Sequence, residues 1–488
     1  MKTLIPNHPS KFRAAVHIIS LMILLEAALM LVSTAVTLWL KSDGVHALLI
    51  SSLITLFVGF ILWLISKTKD IVIDKRNAYI AVALTWIIMT VFGLLPFVIG
   101  GYIPSVIDAM FETMSGFTTT GATILEHVET LPKGILFWRS LMQWIGGIGI
   151  VVVVVSFMQI EGGGGMSLIS AEMVGPEKGK ITPSTRKTGK ILVLIYSVLT
   201  IATALSYWLG GMSIYEACCH SFATVSSGGF STKDASASAY SPLIQYLMII
   251  FMIPAGTNFI LMYNIFKGKW SRVMKNDEFK VYISIIFIFS LVVAFFIYTP
   301  QAGLELTLRQ SFFQVISIMT TTGFTNANYG FWSTPAILLL FVLMFIGAMG
   351  GSTSGGVKVG RTIVLFKNAR NIIKFSIHNR AFMPIKIDKR TISNTLLYNV
   401  MAVFLLYVAV FVISTLCLTF VGLNFEEALE GCLSCLGCVG PIYVQRVDLS
   451  TFSTFSDVAK CIFTFLMYLG RLEILTIFVL FLPSFWKK

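Results

Sequence analysis

The chain has 488 residues, of which 56% are hydrophobic and only 12% charged. A soluble globular domain sits near 45–50% apolar and about 25% charged, so this balance excludes one. The formal net charge of +13 would suit a nucleic-acid binder, but the basic residues fall between apolar runs, which leaves a membrane protein.

Several runs exceed the roughly 20 apolar residues that cross a bilayer as a helix. The first span, near 15–40, follows Lys2, Lys11 and Arg13 and is too long for a signal-peptide core. A second at 46–66 comes at once, so both are read as retained helices. Further spans are predicted near 77–101, 134–159, 187–210, 241–266, 279–299, 335–365, 391–422 and 456–484, ten in all. Basic residues cluster after alternate spans, at Lys67 to Arg76, Lys178 to Lys190, Lys267 to Lys275, Arg361 to Arg390, and Lys487 with Lys488. The opposite connections hold few, chiefly Lys41, Lys133, Lys233 and Arg446. Lys and Arg concentrate on the cytoplasmic side, which puts both termini there. The longest polar stretches, 160–190 and 366–391, read as connectors, so no soluble domain of any size is expected.

Between the later spans a motif recurs about every hundred residues, a period at which repeats are sought first. Thr118-Thr119-Thr120-Gly121-Ala122-Thr123 returns as Ser226-Ser227-Gly228-Gly229-Phe230-Ser231 and as Thr320-Thr321-Thr322-Gly323-Phe324-Thr325. Gly437-Cys438-Val439-Gly440-Pro441 is a fourth, worn copy. Each follows a stretch too short to span, predicted as re-entrant helices over Val106–Phe117, Ile214–Val225, Leu306–Met319 and Phe425–Leu436. Leu131-Pro132, Ser241-Pro242 and Thr334-Pro335 then open the outgoing helices, with Pro in the first turn where it is tolerated. Ser456-Asp457 takes that place in the fourth unit as an N-cap.

The fold class is therefore an all-α polytopic membrane protein. Two N-terminal helices (1–70) precede four pseudo-repeated units of helix, re-entrant helix, loop and helix, at 71–160, 161–270 with a connector, 271–366, and 367–488 with a connector. Non-helical backbone at membrane depth survives only where protein buries it or it lines a cavity. Four such loops facing one axis supply what a ring of backbone carbonyls around a dehydrated cation requires. The candidate filter residues are Thr119, Thr120 and Gly121; Ser227, Gly228 and Gly229; Thr321, Thr322 and Gly323; and Cys438, Val439 and Gly440. Glycine adopts the needed backbone angles at little cost, flanking hydroxyls hold the loop, and the negative ends of the short helices favour a cation. Simple turns between core helices are the bland alternative, but turns need not repeat their threonines.

On these residues the chain resembles the Trk/Ktr/HKT superfamily of cation transporters, and within it the long bacterial TrkH-type subunits. The resemblance covers almost the whole chain. It takes in the two extra N-terminal helices, the signatures Phe117–Thr123, Val225–Ser231 and Met319–Thr325, the run Ser352-Thr353-Ser354-Gly355-Gly356-Val357-Lys358, and Gly470-Arg471-Leu472-Glu473. It implies potassium as the transported ion with no bound organic cofactor, a homodimer in lipid, and cytoplasmic TrkA-like nucleotide-binding regulatory subunits. It also implies a bacterial cytoplasmic membrane and no enzymatic activity. A sodium- or proton-coupled symporter of the same superfamily is the alternative. The fourth loop departs from the family's usual Gly-Pro-Gly, which bears on ion selectivity.

The eighth span holds five glycines in the ten residues 347–356, and each costs about 1 kcal/mol against alanine in a helix. A closely packed kink would explain them. The resemblance implies instead an intramembrane gate, with Gly347, Gly350, Gly351, Ser352, Thr353, Ser354, Gly355, Gly356 and Lys358 as its residues. Arg471 lies near the middle of the last span, where Arg costs about 2.5–3.5 kcal/mol on insertion scales. It is expected to bond carbonyls of the broken eighth helix, to raise a charge barrier in the ion path, or both. Cys432, Cys435 and Cys438 have iron–sulfur-like spacing but lack a fourth ligand, and equally place small residues on one helical face. His220 is expected to pack. Asp108, Glu112, Glu216, Glu426, Glu427 and Glu430 either cap re-entrant helices or concentrate cations at a mouth. Glu161-Gly162-Gly163-Gly164-Gly165 lacks the rest of a phosphate loop and reads as a connector.

Overall fold

Two closely paired helices, α1 (His8–Trp39) and α2 (Val45–Ser66), lead into units whose order repeats four times in the computed structural model. Residues 8–67, 75–157, 185–377, 384–441 and 451–486 are described. The first unit comprises α3 (Lys75–Gly93) with the short α4 (Leu95–Ile99), the re-entrant α5 (Val106–Phe117) and the outgoing α6 (Lys133–Phe157). The second runs through α7 (Thr185–Leu209), re-entrant α8 (Ile214–Val225), and outgoing α9 (Pro242–Ala255) and α10 (Phe259–Phe266). After α11 (Trp270–Lys275) come α12 (Asp277–Ile297), re-entrant α13 (Gly303–Met319), and outgoing α14 (Thr334–Ile346) and α15 (Val359–Ile377). The fourth has α16 (Asn394–Phe420), re-entrant α17 (Phe425–Gly437), and outgoing α18 (Asp457–Arg471) and α19 (Ile474–Phe481).

Three of the four re-entrant helices start at side-chain caps, whereas α13 starts at Gly303, three residues before the predicted Leu306, without one. Ser105 Oγ accepts from the Asp108 N–H at 3.3 Å, and Ser213 with Glu216 forms a reciprocal capping box. Glu427 accepts from the Asn424 N–H at 3.0 Å. Each such cap satisfies an orphan donor of the first turn. Their C-terminal halves are buried almost completely; Phe117, Met319 and Leu436 sit in one core cluster at the loops, and Val225 in a second, smaller one.

Among the described residues, six helices have the length and composition to cross a membrane, or up to eight if each of two bent pairs is one span. The two bends correct the reading of 241–266 and 456–484 as single straight spans. α9 and α10 meet at 106°, and α18 and α19 at 108°. In the first pair Pro254 lies in the last turn, removing a backbone donor, and the chain stops at Gly256 before Asn258 caps the next helix. In the second the break is Leu472-Glu473, with Glu473 at φ 57°. The 335–365 span is broken as expected, at Gly347. All three outgoing helices thus break at a corresponding point, where α6 instead carries Gly146-Gly147. A side chain at Gly146 would strike the Phe117 carbonyl, so close packing explains that glycine.

Among the described residues one feature departs from all-α. Strands β1 (Lys386–Ile387) and β2 (Arg390–Thr391) form an antiparallel hairpin before α16. Its two turn residues, Asp388 and Lys389, both have positive φ, as a type I′ turn needs.

Candidate functional site

The four loops share one backbone signature. Thr119, Ser227, Thr321 and Cys438 have φ of 55°, 57°, 54° and 52°, and two residues later Gly121, Gly229, Gly323 and Gly440 have φ of 83°, 75°, 81° and 109°. The glycines were legible in the sequence; the left-handed residues before them were not. For a β-branched threonine this conformation is an outlier. Such strain persists only where surroundings over-determine it, and it clusters at functional sites.

The loops also close on one another in cyclic order. A Cβ added at Gly121 would strike the carbonyl of Gly228, one at Gly229 that of Thr322, one at Gly323 that of Val439, and one at Gly440 that of Thr120. First touches second, second third, third fourth, and fourth first. The worn fourth copy therefore takes an equal place in the ring despite Cys438 and Val439. A closed ring of four backbone loops is the kind of arrangement in which carbonyls can replace the water of a cation.

Side chains fasten each loop from behind. Thr118 and Thr120 hydroxyls share a hydrogen bond at 2.8 Å, as do Thr320 and Thr322. Ser434 Oγ accepts from the Gly440 N–H at 3.0 Å and donates to the Pro441 carbonyl at 3.2 Å. Gln143 on α6 grips the second loop, donating to the Gly228 carbonyl at 2.6 Å and accepting from the Phe230 N–H at 3.1 Å. Only an isolated amide in an apolar helix marked Gln143 in the sequence.

Glu112 is wholly buried and does not face a mouth. It accepts from Arg139 Nε, the Thr123 hydroxyl and the Ile124 N–H. Asp108 meets Lys460 at 2.7 Å, Glu216 serves its capping box, and Glu426 is exposed. Above the ring lies a cavity of about 90 Å³ bordered by Gly121, Gly229, Gly323, Glu126, Lys233 and Asp234. Lys233 is drawn aside by Glu129 at 3.5 Å and Glu216 at 3.7 Å.

On the face where the re-entrant helices end, the 347–358 segment lies against the ring. Thr353 Oγ1 and Ser227 Oγ lie 2.6 Å apart, and the Gly355 N–H donates to Thr321 Oγ1 at 2.9 Å. A Cβ at Gly355 would strike the Gly437 carbonyl, and one at Gly347 the Gly355 carbonyl. Ser352 and Ser354 hydroxyls share a hydrogen bond at 2.7 Å, and both, with Thr353, are buried. Gly350 and Gly351 sit against Asn258 at the joint of the second unit.

Arg471 ties this segment to the first unit. Its Nη1 donates to the Thr353 carbonyl and its Nη2 to the Gly146 carbonyl, each at 2.7 Å. Glu473 turns away from it, as the two-residue spacing implies, and pairs with Arg361 at 2.6 Å and Lys358 at 3.7 Å. Lys358 thus anchors the end of the segment.

Cys432, Cys435 and Cys438 are buried free thiols, with Cys438 Sγ against the Met467 carbonyl. Among the described residues no group of three His, Cys, Asp or Glu is placed to hold a metal ion. His220 packs beside Tyr240 and Phe324 and meets Ser231 Oγ at 3.0 Å. The Glu161–Gly165 connector and Arg446 lie outside the described residues.

A family model described as TrkH, cation transport protein, matches residues 45–307 and 301–488. The chain is 36% identical over 484 residues to the Trk system potassium uptake protein TrkH of Escherichia coli K12, covering 98% of this chain and 100% of that one. It is 31% identical over 487 residues to the Trk system potassium uptake protein TrkG of the same strain, covering 98% and 99%. A crystal structure of the potassium transporter TrkH from Vibrio parahaemolyticus superposes with a TM-score of 0.89 at 32% identity, covering 98% of this chain and all of that one. This chain belongs to the TrkH family of cation transport proteins.

Proposed function

We propose that this chain carries potassium ions across the cytoplasmic membrane, with the four-loop ring as its selectivity filter. The carrying observation is the cyclic closure of the loops, first to fourth and back, because a symmetric set of carbonyls is what replaces an ion's hydration shell. The relatives' names, potassium uptake proteins, support potassium as the cargo. The 347–356 segment with Lys358 acts as the gate, a reading supported by its buried backbone lying against the ring at Ser227, Thr321 and Gly437. Arg471 adds positive charge at the same level.

The word system in those names supports partner subunits. The family resemblance supports TrkA-like nucleotide-binding chains on the cytoplasmic face of a homodimer as those partners. The distribution of Lys and Arg supports both termini lying on that face.

The test is reconstitution in liposomes with imposed potassium, sodium and rubidium gradients. Potassium and rubidium flux well above sodium flux is expected. Deleting residues 348–355 should raise regulator-free potassium flux. Equal flux of all three ions would overturn the filter reading, and a well-folded deletion variant with unchanged flux would overturn the gate.

A further inference from the structure

Glu278 stands in the first turn of α12 with only 7% of its surface exposed. Its Oε1 accepts from the Gly350 N–H at 2.8 Å and from the Gly360 N–H at 3.0 Å. Those two glycines bracket the broken segment, one near its start and one in the first turn of α15. A single atom on a neighbouring helix therefore pins both ends. The Gly360 N–H is an orphan donor of α15, whose first turn has no earlier carbonyl to bond, and Glu278 supplies the cap from outside.

The anchorage is firm on both sides. The Gly350 carbonyl accepts from Asn258 Nδ2 at 2.7 Å, and the Gly351 carbonyl from the Phe259 N–H at 3.1 Å. Behind Glu278, Asn276 Oδ1 caps α12 through the Phe279 N–H at 2.8 Å. Asn276 Nδ2 also donates to Asp388 on the hairpin at 2.8 Å, and the Asp277 N–H donates to the same carboxylate at 2.6 Å. The start of α12 is thus fixed to the hairpin that follows α15.

We infer that Glu278 is the latch of the gate, a positioning residue that holds the 347–358 segment against the ring through two backbone hydrogen bonds. This rests on the gating reading above. Moving the segment away separates at least one of the two amides from Oε1, and a buried N–H left without its acceptor is costly. The latch acts on both ends at once, so its loss frees the segment as a unit.

The test uses the full chain in liposomes without regulator. Glu278→Leu removes the acceptor. Glu278→Asp keeps the carboxyl group but falls one methylene short of bridging both amides. Glu278→Gln keeps an acceptor oxygen at the original reach. Leu and Asp variants should raise potassium flux about tenfold, as leaving one buried amide without its acceptor would do, while Gln stays within about threefold. Amide exchange of the 347–360 peptide should accelerate in the same order, and the potassium-to-sodium ratio should hold.

The Asp variant keeps the measurement available if the Leu variant does not fold. Unchanged exchange in the Asp variant would overturn the latch. So would faster exchange without added flux when the 348–355 deletion does raise flux, because the segment would be loosened yet shut. If neither the variants nor the deletion raises flux, the gating reading has failed and the latch falls with it.

Discussion

Arg139 Nε meets Glu112 Oε1 at 2.6 Å with both side chains buried, and the pair bridges the exits of two neighbouring loops. Arg139 Nη1 donates to the Ser231 carbonyl at 3.2 Å beyond the second loop. Glu112 holds Thr123 and Ile124 beyond the first. Phe230 lies under the guanidinium at 3.4 Å from its ring centre.

Removing one partner of a buried pair strands the other charge, at about 3–5 kcal/mol. Arg139→Met should therefore lower the thermal unfolding temperature in detergent sharply, and Glu112→Gln with Arg139→Met should recover part of the loss. A double variant as unstable as the sum of the singles would mean the two side chains do not act as a pair.

Gly323→Ser should impair potassium flux or selectivity. Its φ is 81°, and the added Cβ would meet the Val439 carbonyl and Pro441. Gly268 is the control, with φ 70° and nothing within 4 Å of an added Cβ. Gly268→Ser carries only the left-handed penalty, about 1–2 kcal/mol, and should leave flux ratios intact. Equal effects of the two substitutions in liposomes would reduce the filter argument to backbone strain alone.

Asp388 gives a pH prediction for the hairpin. Partial burial raises its pKa above the ordinary carboxylate value, the Asp277 charge adds to this, and hydrogen bonds from the Asp277 N–H and Asn276 oppose it. A raised pKa in the docked state means that docking binds the proton. The proton-linked part of docking is thus fully present below the ordinary aspartate pKa and is lost as pH rises through the raised value. Amide protection of residues 385–392, corrected for intrinsic exchange, should fall across that window, and Asp388→Asn should flatten the dependence. A wild-type profile as flat as the variant's would show that Asp388 does not titrate on docking.

The sequence carried the repeats because glycine and threonine recurred with the helix starts. Val106–Phe117 and Ile214–Val225 fall where their caps and lengths put them. The bends at Gly256 and Leu472-Glu473 were not legible, since an apolar run reads as one span whether straight or folded, and a single internal Pro254 is weak evidence. The ring order was hidden for another reason. Which loop touches which depends on four units closing in space, and no residue within one loop encodes its neighbour. Glu278 was not legible, because its partners are backbone amides seventy and more residues away.

Arg471→Ala should increase potassium flux if the guanidinium contributes a charge barrier. Arg471 is only 5% exposed and joins the Thr353 and Gly146 carbonyls, so it is also a structural brace. The two roles oppose each other in the alanine variant. Losing the central charge lowers the barrier to cations, while each carbonyl left unpaired costs about 1–3 kcal/mol. Arg471→Lys separates them, since it keeps the charge but loses the planar fork that reaches two carbonyls at once. Higher flux in the alanine variant with low flux in the lysine variant assigns the barrier to charge. Higher flux in both assigns it to the brace, through release of the 347–358 segment from α6. Loss of thermal stability in both without added flux would leave Arg471 a structural residue and end the barrier proposal.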